Sequence, residues 1–557
     1  MDRRRFLSAA LLTPLARPLL QPTARRYPAQ TVDDARRVFP LSVASGDPTP
    51  YGVVLWTRLD PQQWRPDLPL TLEVASDEGF ATGVLQATIP PEQFDAQRDF
   101  TLHVDLDGQL EPGQRYFYRF IHGEIASRTG RCHTLWLPSQ ALPSLTLGVV
   151  CCQDYTAGYY GAYHHLANES DVDFVVHLGD AIYETSYAVG GYPDRGIALP
   201  SNSPVALNLD DYRTLYRTYR SDPFYQAALE RHTFVFIWDD HETANDIYWD
   251  AAQGCLGAPD HPYTLDAAYA ANRPALLNGL RMDSMRAWAE YTPARLTIDW
   301  TTNDPHRFFA INRDFRFGDL VHLFCSDERS FRSPHPCGEG TALQRYATLG
   351  CRERNAAGRT MLGPAQRDWL QGGLLGSRAT WKCWANEVLL ARMEIAQLYF
   401  NMDAWDGYGF ERDQLLTNLA LGGLENLVVL TGDLHSYLAS YIKADYSRLA
   451  SRAQPMGVEF MTPSVTSANV GDALAALPIP LPADALEERV IRAANPHIQY
   501  FNSNYWGYST VTFTPDAVSW TAYRVDKLHN TQEAGKTILV RYTSPAGTPS
   551  LQRAVID

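Results

Sequence analysis

The chain has little that would take it into a membrane or onto a nucleic acid. Apart from a short apolar stretch near the N-terminus, its 557 residues contain no run of 18 apolar residues, so no segment reads as a transmembrane helix. Positive charge is scarce: 48 Lys and Arg stand against 63 Asp and Glu, a formal net charge of −15. The first 26 residues hold six Arg and one Asp, which leaves about −20 on the remainder, with no basic cluster to offset it. Such a surface repels a phosphate backbone, so nucleic-acid binding is not expected. The acidity suits a site of carboxylates around cations, and it suits plain solubility equally well. Cysteine is sparse: the eight present do not demand a disulfide framework in so long a chain. Cys337 and Cys351 flank a polar loop and could pair, although pairing is not readable from sequence. No internal repeat or low-complexity segment stands out.

What is present begins at the N-terminus. Asp2, then Arg3, Arg4, Arg5, Phe6 and Leu7, precede the mildly apolar SAALLTPLA. That is the order of a twin-arginine export signal, assigned here to residues 1–30. It predicts the twin-arginine export machinery as a partner, a periplasmic or secreted destination, and no stable membrane insertion. The route carries proteins already folded around a cofactor.

At this length two to four domains are expected. From about 38 to 138 the pattern is of short alternating runs divided by turn signals: VVLWTRL, LTLEVAS, FTLHVDL and YFYRFIH. Residues 110–118, LEPGQRYFY, resemble the tyrosine corner of an immunoglobulin-like sandwich. A β-sandwich is therefore predicted for 38–138, with a linker at 136–144. Past it, LTLGVV (145–150), FVVHLGD (174–180), FVFIWDD (234–240), LVHLFCSD (320–327), KCWANEV (382–388) and LVVLTGD (427–433) are apolar runs that alternate with helical segments such as 209–220 and 275–291. The alternation predicts a layered α/β domain over 145–530, followed by a tail at 531–557. Ligands of such sheets sit beyond the carboxyl ends of the strands.

Those ends carry the chemistry. In order they present Cys151, Cys152, Gln153 and Asp154; Gly179, Asp180, Tyr183 and Glu184; Asp239, Asp240, His241 and Glu242, with Asn245 nearby; Asn386 and Glu387; and Gly432, Asp433, His435 and Ser436. A Gly-Asp after a strand is usually only a turn. Three acids and an imidazole together lose hydration and repel unless cations or strong partners compensate them. Phenolate and thiolate beside carboxylates favour ferric iron, whereas Asp, Asn and backbone oxygens suit Ca²⁺, Mg²⁺ or Mn²⁺. Two cations about 3.5–4 Å apart under a bridging carboxylate make an arrangement for in-line displacement at phosphorus.

With CCQDY, HLGDAIYE, WDDHETAND, MLGPAQRDWL, WDGY, GDLHS, EFMTPSVTS and NPHIQYFN in order behind FPLSVASGDPTPYGVVLWTRL, the chain resembles the PhoD-type alkaline phosphatases, a branch of the calcineurin-like metallophosphoesterases. The resemblance implies an N-terminal β-sandwich and a four-layer α/β/β/α domain. It also implies a site with one Fe³⁺ and one or two Ca²⁺ that hydrolyses phosphate mono- and diesters at alkaline pH. Carried over by motif, Cys152, Tyr183 and His435 go to iron, and Asp180 bridges. Asp240 and Asp433 go to calcium, with Asp239 supporting them or a further Ca²⁺. His241 is set to hydrogen-bond the phosphate or protonate the leaving group. Asn386 is either a ligand or a structural hydrogen-bonding group. Arg329 is either a bidentate phosphate clamp or a surface ion pair. Asn245 and His497, the latter with Asn495, are candidates to line the substrate side. A non-catalytic secreted protein that binds through structural calcium is the rival reading, and it has no use for Tyr183 or a thiolate.

Overall fold

The computed structural model describes residues 31–556 except 94, 188–190, 447–453, 470 and 473–482. The export-signal reading of residues 1–30 lies outside the described residues. The chain divides into two compact units, and no described helix is long and apolar enough to cross a membrane.

In the first unit, all four alternating runs are strands: Gly52–Arg58, Leu70–Ala75, Thr101–Asp105 and Arg115–His122. Val43–Thr49, Gly52–Arg58 and Thr101–Asp105 pair antiparallel in one sheet. Gly83–Ile89, Leu70–Ala75 and Arg115–His122 do so in another. The inward positions of both sheets form one core, with Val43, Val53 and Leu55 from the first and Leu70, Leu72, Val74 and Phe120 from the second. At roughly 2 kcal/mol per buried side chain, that shared layer makes the unit a sandwich. The tyrosine corner is present: the Glu111 amide donates to the Tyr116 hydroxyl at 3.0 Å. The unit is wider than the predicted 38–138, because residues 220–236 and 288–295 also belong to it.

The second unit holds two further sheets. In one, Leu145–Val150 and Phe174–Leu178 are parallel, and Gly507–Phe513, Ala517–Val525 and Lys536–Pro545 extend it antiparallel. The predicted tail at 531–557 is thereby corrected: KTILVRYTSP alternates in burial and completes the sheet. In the other, Val321–Cys325, Trp381–Ala385, Leu427–Thr431 and Gly457–Met461 are parallel. The two sheets face each other through aromatic contacts, among them Phe460 stacked on Trp520 with ring centroids 5.4 Å apart. Helices Pro364–Gly376 and Gly409–Leu421 cover the second sheet with Leu370, Leu374, Leu415, Leu416 and Leu419. Helix Gly161–Ala167 sets Leu166 against Gly148 of the first. A disulfide joins Cys337 to Cys351.

Candidate metal centre

The parallel strands of the second unit end in backbone that ordinary residues avoid. Cys152, Asp180, Asp433 and His435 all have φ between +52° and +60°. Left-handed non-glycine residues cost about 1–3 kcal/mol each and persist only where surroundings over-determine them. Here the gain is aim: four potential ligands turn off their strands toward one place. Gly179 (φ +97°) makes this possible, since a Cβ there would lie 2.4 Å from the Asp239 amide nitrogen.

One carboxylate ties the strand ends together. Glu242, itself buried, accepts the amides of Asp180 (2.9 Å), Ala181 (2.7 Å) and Asp239 (2.8 Å). Gln153 adds a second tie, donating from Nε2 to the Ala181 carbonyl at 2.8 Å. Neither residue was given a role from sequence. Their only signal there was a place beside the ligand candidates.

Two donor groups result. Ligand atoms of Cys152, Asp180 and His435 lie within 4.8 Å of one another, and so do those of Asp239, Asp240 and Asp433. Asp180 also groups with Asp240 and His241, and so joins both sides. Tyr183 reaches the first side: its hydroxyl donates to Asp180 Oδ2 at 2.8 Å and lies 3.2 Å from His435 Nε2. His435 Nδ1 is bound to the Ala468 carbonyl at 2.5 Å, which leaves Nε2 for a ligand role. Cys151 is buried, with its thiol against the Pro463 carbonyl.

The electrostatics show a cavity arranged for positive charge. Burial pushes the Cys152 thiol, the Asp180 carboxyl and the Tyr183 phenol well above their ordinary values, and neighbouring acids push all three further. Burial lifts Asp433 to about 7 and lowers His435 to about 4. Asp239 Oδ2 is buried with no hydrogen-bond partner among the described residues. A thiol, a phenol, an imidazole and a carboxylate on one side fit ferric iron; three carboxylates on the other fit a hard divalent ion.

His241 stands beside this pair. Its ring stacks on Tyr183 with centroids 4.1 Å apart, and Nδ1 lies 2.6 Å from Glu184 Oε2. Burial alone would lower its pKa, but Glu184, Asp180 and Asp240 outweigh burial and raise it well above 6.5. Glu184 also accepts the Asn245 amide at 2.9 Å.

Four of the sequence candidates are engaged by protein groups. Arg329 is not a surface ion pair: its fully buried guanidinium pairs with Asp239 and Asp403, reaches Asp433 at 2.8 Å and lies 3.5 Å from Asp240. Asn386 is structural, accepting from Trp405 Nε1 at 2.9 Å and donating to the Val388 carbonyl. His497 Nε2 meets the Arg392 carbonyl at 2.6 Å and its ring packs on Tyr446, while Asn495 holds Glu394. Asn245 donates from its side chain to Asp260 at 2.6 Å. In each case a polar group of the side chain is hydrogen-bonded within the protein.

Sequence reasoning also missed Asp403, Asp246 and Asn401. Asp403 is held by Arg329, Arg332 and His335, and these cations keep its carboxyl well below the usual range despite burial. The Asp246 amide donates to Asp240 Oδ2 at 2.5 Å, and Asn401 Nδ2 donates to Asp433 Oδ2 at 3.0 Å. Asp246, His335 and Asp403 converge as a group of their own, but Arg332 and Arg345 already occupy their oxygens.

Comparison with known proteins agrees with this layout. The family model for PhoD-like phosphatase matches residues 147–522, and that for PhoD-like phosphatase, N-terminal domain, matches residues 24–136. Alkaline phosphatase D of Bacillus subtilis (strain 168) is 34% identical over 500 residues, covering 87% of this chain and 77% of that protein. A solved structure of PhoD superposes with a TM-score of 0.78 at 30% identity, covering 94% of this chain and 93% of the other. The chain belongs to the PhoD-like phosphatase family.

Proposed function

We propose that this phosphoric ester hydrolase acts on phosphate mono- and diesters outside the cytoplasm, with Fe³⁺ and Ca²⁺ as its cofactors. Cys152, Asp180, Tyr183 and His435 would hold the iron. Asp180, Asp240 and Asp433, with Asp239 beside them, would hold one calcium or two. The observation that carries the reading is the pair of donor groups meeting at Asp180, one with a thiol and an imidazole, the other all carboxylate. A structural calcium site needs neither sulfur nor phenol, which favours catalysis over the binding-protein reading. When bound, the two ions would supply positive charge to the phosphoryl oxygens and lower the pKa of the attacking water.

The chain's own groups account for the rest. Asp180 presents both oxygens, one steadied by the His241 amide at 3.2 Å and the other by the Tyr183 hydroxyl. His241 keeps Nδ1 on Glu184, so Nε2 is the nitrogen that faces a substrate oxygen and carries the proton for a leaving alkoxide. The Arg-Arg-x-Phe-Leu start supports export by the twin-arginine route, which delivers the folded chain to the periplasm or exterior. The test is hydrolysis of p-nitrophenyl phosphate and bis(p-nitrophenyl) phosphate by natively exported protein, with metal analysis. Activity abolished by a strong calcium chelator and restored by Ca²⁺ is expected; full activity after exhaustive metal removal would sink the reading.

A further inference from the structure

We propose that Arg329 is a placeholder cation: its guanidinium stands in for positive charge on the carboxylate side of the centre without metal, and by repulsion sets how weakly the second cation binds. The inference rests on the proposed calcium site and goes beyond it by naming the residue that fixes its affinity. Arg329 is fully buried, and its three nitrogens reach different carboxylates: Nε to Asp239, one terminal nitrogen to Asp403, and the other to Asp433 at 2.8 Å with Asp240 at 3.5 Å. The carboxylates it touches therefore include all three that group as divalent-ion ligands, Asp239, Asp240 and Asp433. Only a planar, permanently charged fork can serve that many acids at once.

The other side of the centre has no such ion. Cys152, Tyr183 and His435 form no ion pair with Arg or Lys among the described residues; the cationic group beside them is His241, stacked on Tyr183 with centroids 4.1 Å apart and paired with Glu184. A cation entering there meets His241 beside Tyr183, but no guanidinium spanning its ligands among the described residues. One entering between Asp240 and Asp433 meets a guanidinium already in contact with both sides of its position.

Two effects of Arg329 on calcium oppose each other. Repulsion between like charges at contact distance in a buried site weakens binding. Ordering of the carboxylates strengthens it. The second effect is small because the acids are fixed by other means: the Asp246 amide holds Asp240, Asn401 holds Asp433, and Glu242 holds the Asp239 amide. Repulsion wins, so the site is one that fills where calcium is plentiful, in the about 10⁻⁴–10⁻³ M range of extracellular modules.

The test is calcium titration of the iron-loaded, calcium-stripped full chain, as wild type, Arg329→Gln and Arg329→Lys, by calorimetry and by melting with and without Ca²⁺. Arg329→Gln is expected to bind Ca²⁺ roughly tenfold or more tightly, and to melt lower than wild type in chelator with the gap closed by Ca²⁺. Arg329→Lys is expected to fall between, since an ammonium keeps the charge but cannot span three acids. Should the Gln variant not fold, the Lys variant decides by the same readouts. Calcium affinity unchanged or weaker in the folded variants, with only KM for the ester rising, overturns the inference and makes Arg329 a phosphate clamp. No calcium binding by any of the three proteins overturns the calcium reading as well.

Discussion

The two sides of the centre satisfy the same need in opposite ways. Around Cys152, Tyr183 and His435 the ligand atoms lean on each other and on Asp180, with thiol, phenol and imidazole all kept in their neutral forms by burial. Around Asp239, Asp240 and Asp433 the protein supplies a cation of its own, Arg329. On the proposed reading, a side without a guanidinium among its ligands would hold a highly charged metal tightly. A side with a guanidinium already among its acids would, on the same reading, bind its metal more weakly and exchangeably. The difference teaches that, if the proposed reading holds, one scaffold would fix one ion as a permanent part and leave the other to the surroundings.

The most severe way to break the comparison is to remove the group common to both sides. Asp180→Asn should cost roughly three decades in kcat on mono- and diesters alike, since several kcal/mol of charge stabilisation depend on the bridge. Both metals should fall on metal analysis. Cys152→Ser should instead lose iron while still titrating with calcium. Equal loss of both metals in Cys152→Ser would show that the sides are not independent.

Exchange gives the next effect. Brief treatment with a calcium-selective chelator should abolish most activity, and Ca²⁺ should restore it, while iron and any visible phenolate-to-iron absorption persist. Tyr183→Phe should remove that absorption. A chelator that strips iron as readily as calcium would contradict the assigned difference in affinity.

A smaller effect concerns the group that serves both sides. Glu184→Gln leaves His241 in place but removes the charge that holds its Nδ1 proton, and should lower kcat by about 10–100-fold. The fall should be accompanied by a displaced limb of the pH–rate profile and little change in KM. A loss confined to thermal stability would make Glu184 merely structural.

Much of this was legible in the sequence because strand ends announce themselves. FVVHLGD and LVVLTGD are apolar runs that stop at an acid, and their residues form strands whose ends bring Asp180 and Asp433 into clusters of potential donors. What was not legible is where a polar side chain spends its hydrogen bonds. Asn386 and His497 have the types and neighbourhoods of ligands, yet Trp405 and the Arg392 carbonyl take them, and those partners are distant in sequence. The same distance hid Arg329: Asp239, Asp403 and Asp433 come from three separate segments, so nothing near SDERSFR marked the arginine as buried. The strand Lys536–Pro545 is hard to read for a plainer reason: its first three residues are exposed and its alternation becomes clear only where it pairs with the strand Ala517–Val525.

The smallest predicted effect is also the cleanest contrast, because the two sides should respond to pH with opposite sign in the metal-free chain. His435 titrates at about 4 in the folded state, below its ordinary 6.5, because burial disfavours the cation. The unfolded chain therefore binds more protons between these values, and stability falls as pH drops from 6.5 toward 4. Asp433 titrates at about 7, above its ordinary 3.8, because burial disfavours the anion. Its folded form holds the extra proton between 3.8 and 7, so that contribution is complete below 3.8 and is lost as pH rises through 7. Melting curves of chelated wild type, His435→Gln and Asp433→Asn from pH 4 to 8 should separate the two, each by a few degrees. His435→Gln should flatten the acid side alone, and Asp433→Asn the neutral-to-alkaline side alone. Saturating Ca²⁺ should erase only the second, because an ion at Asp433 replaces the proton that burial had kept there.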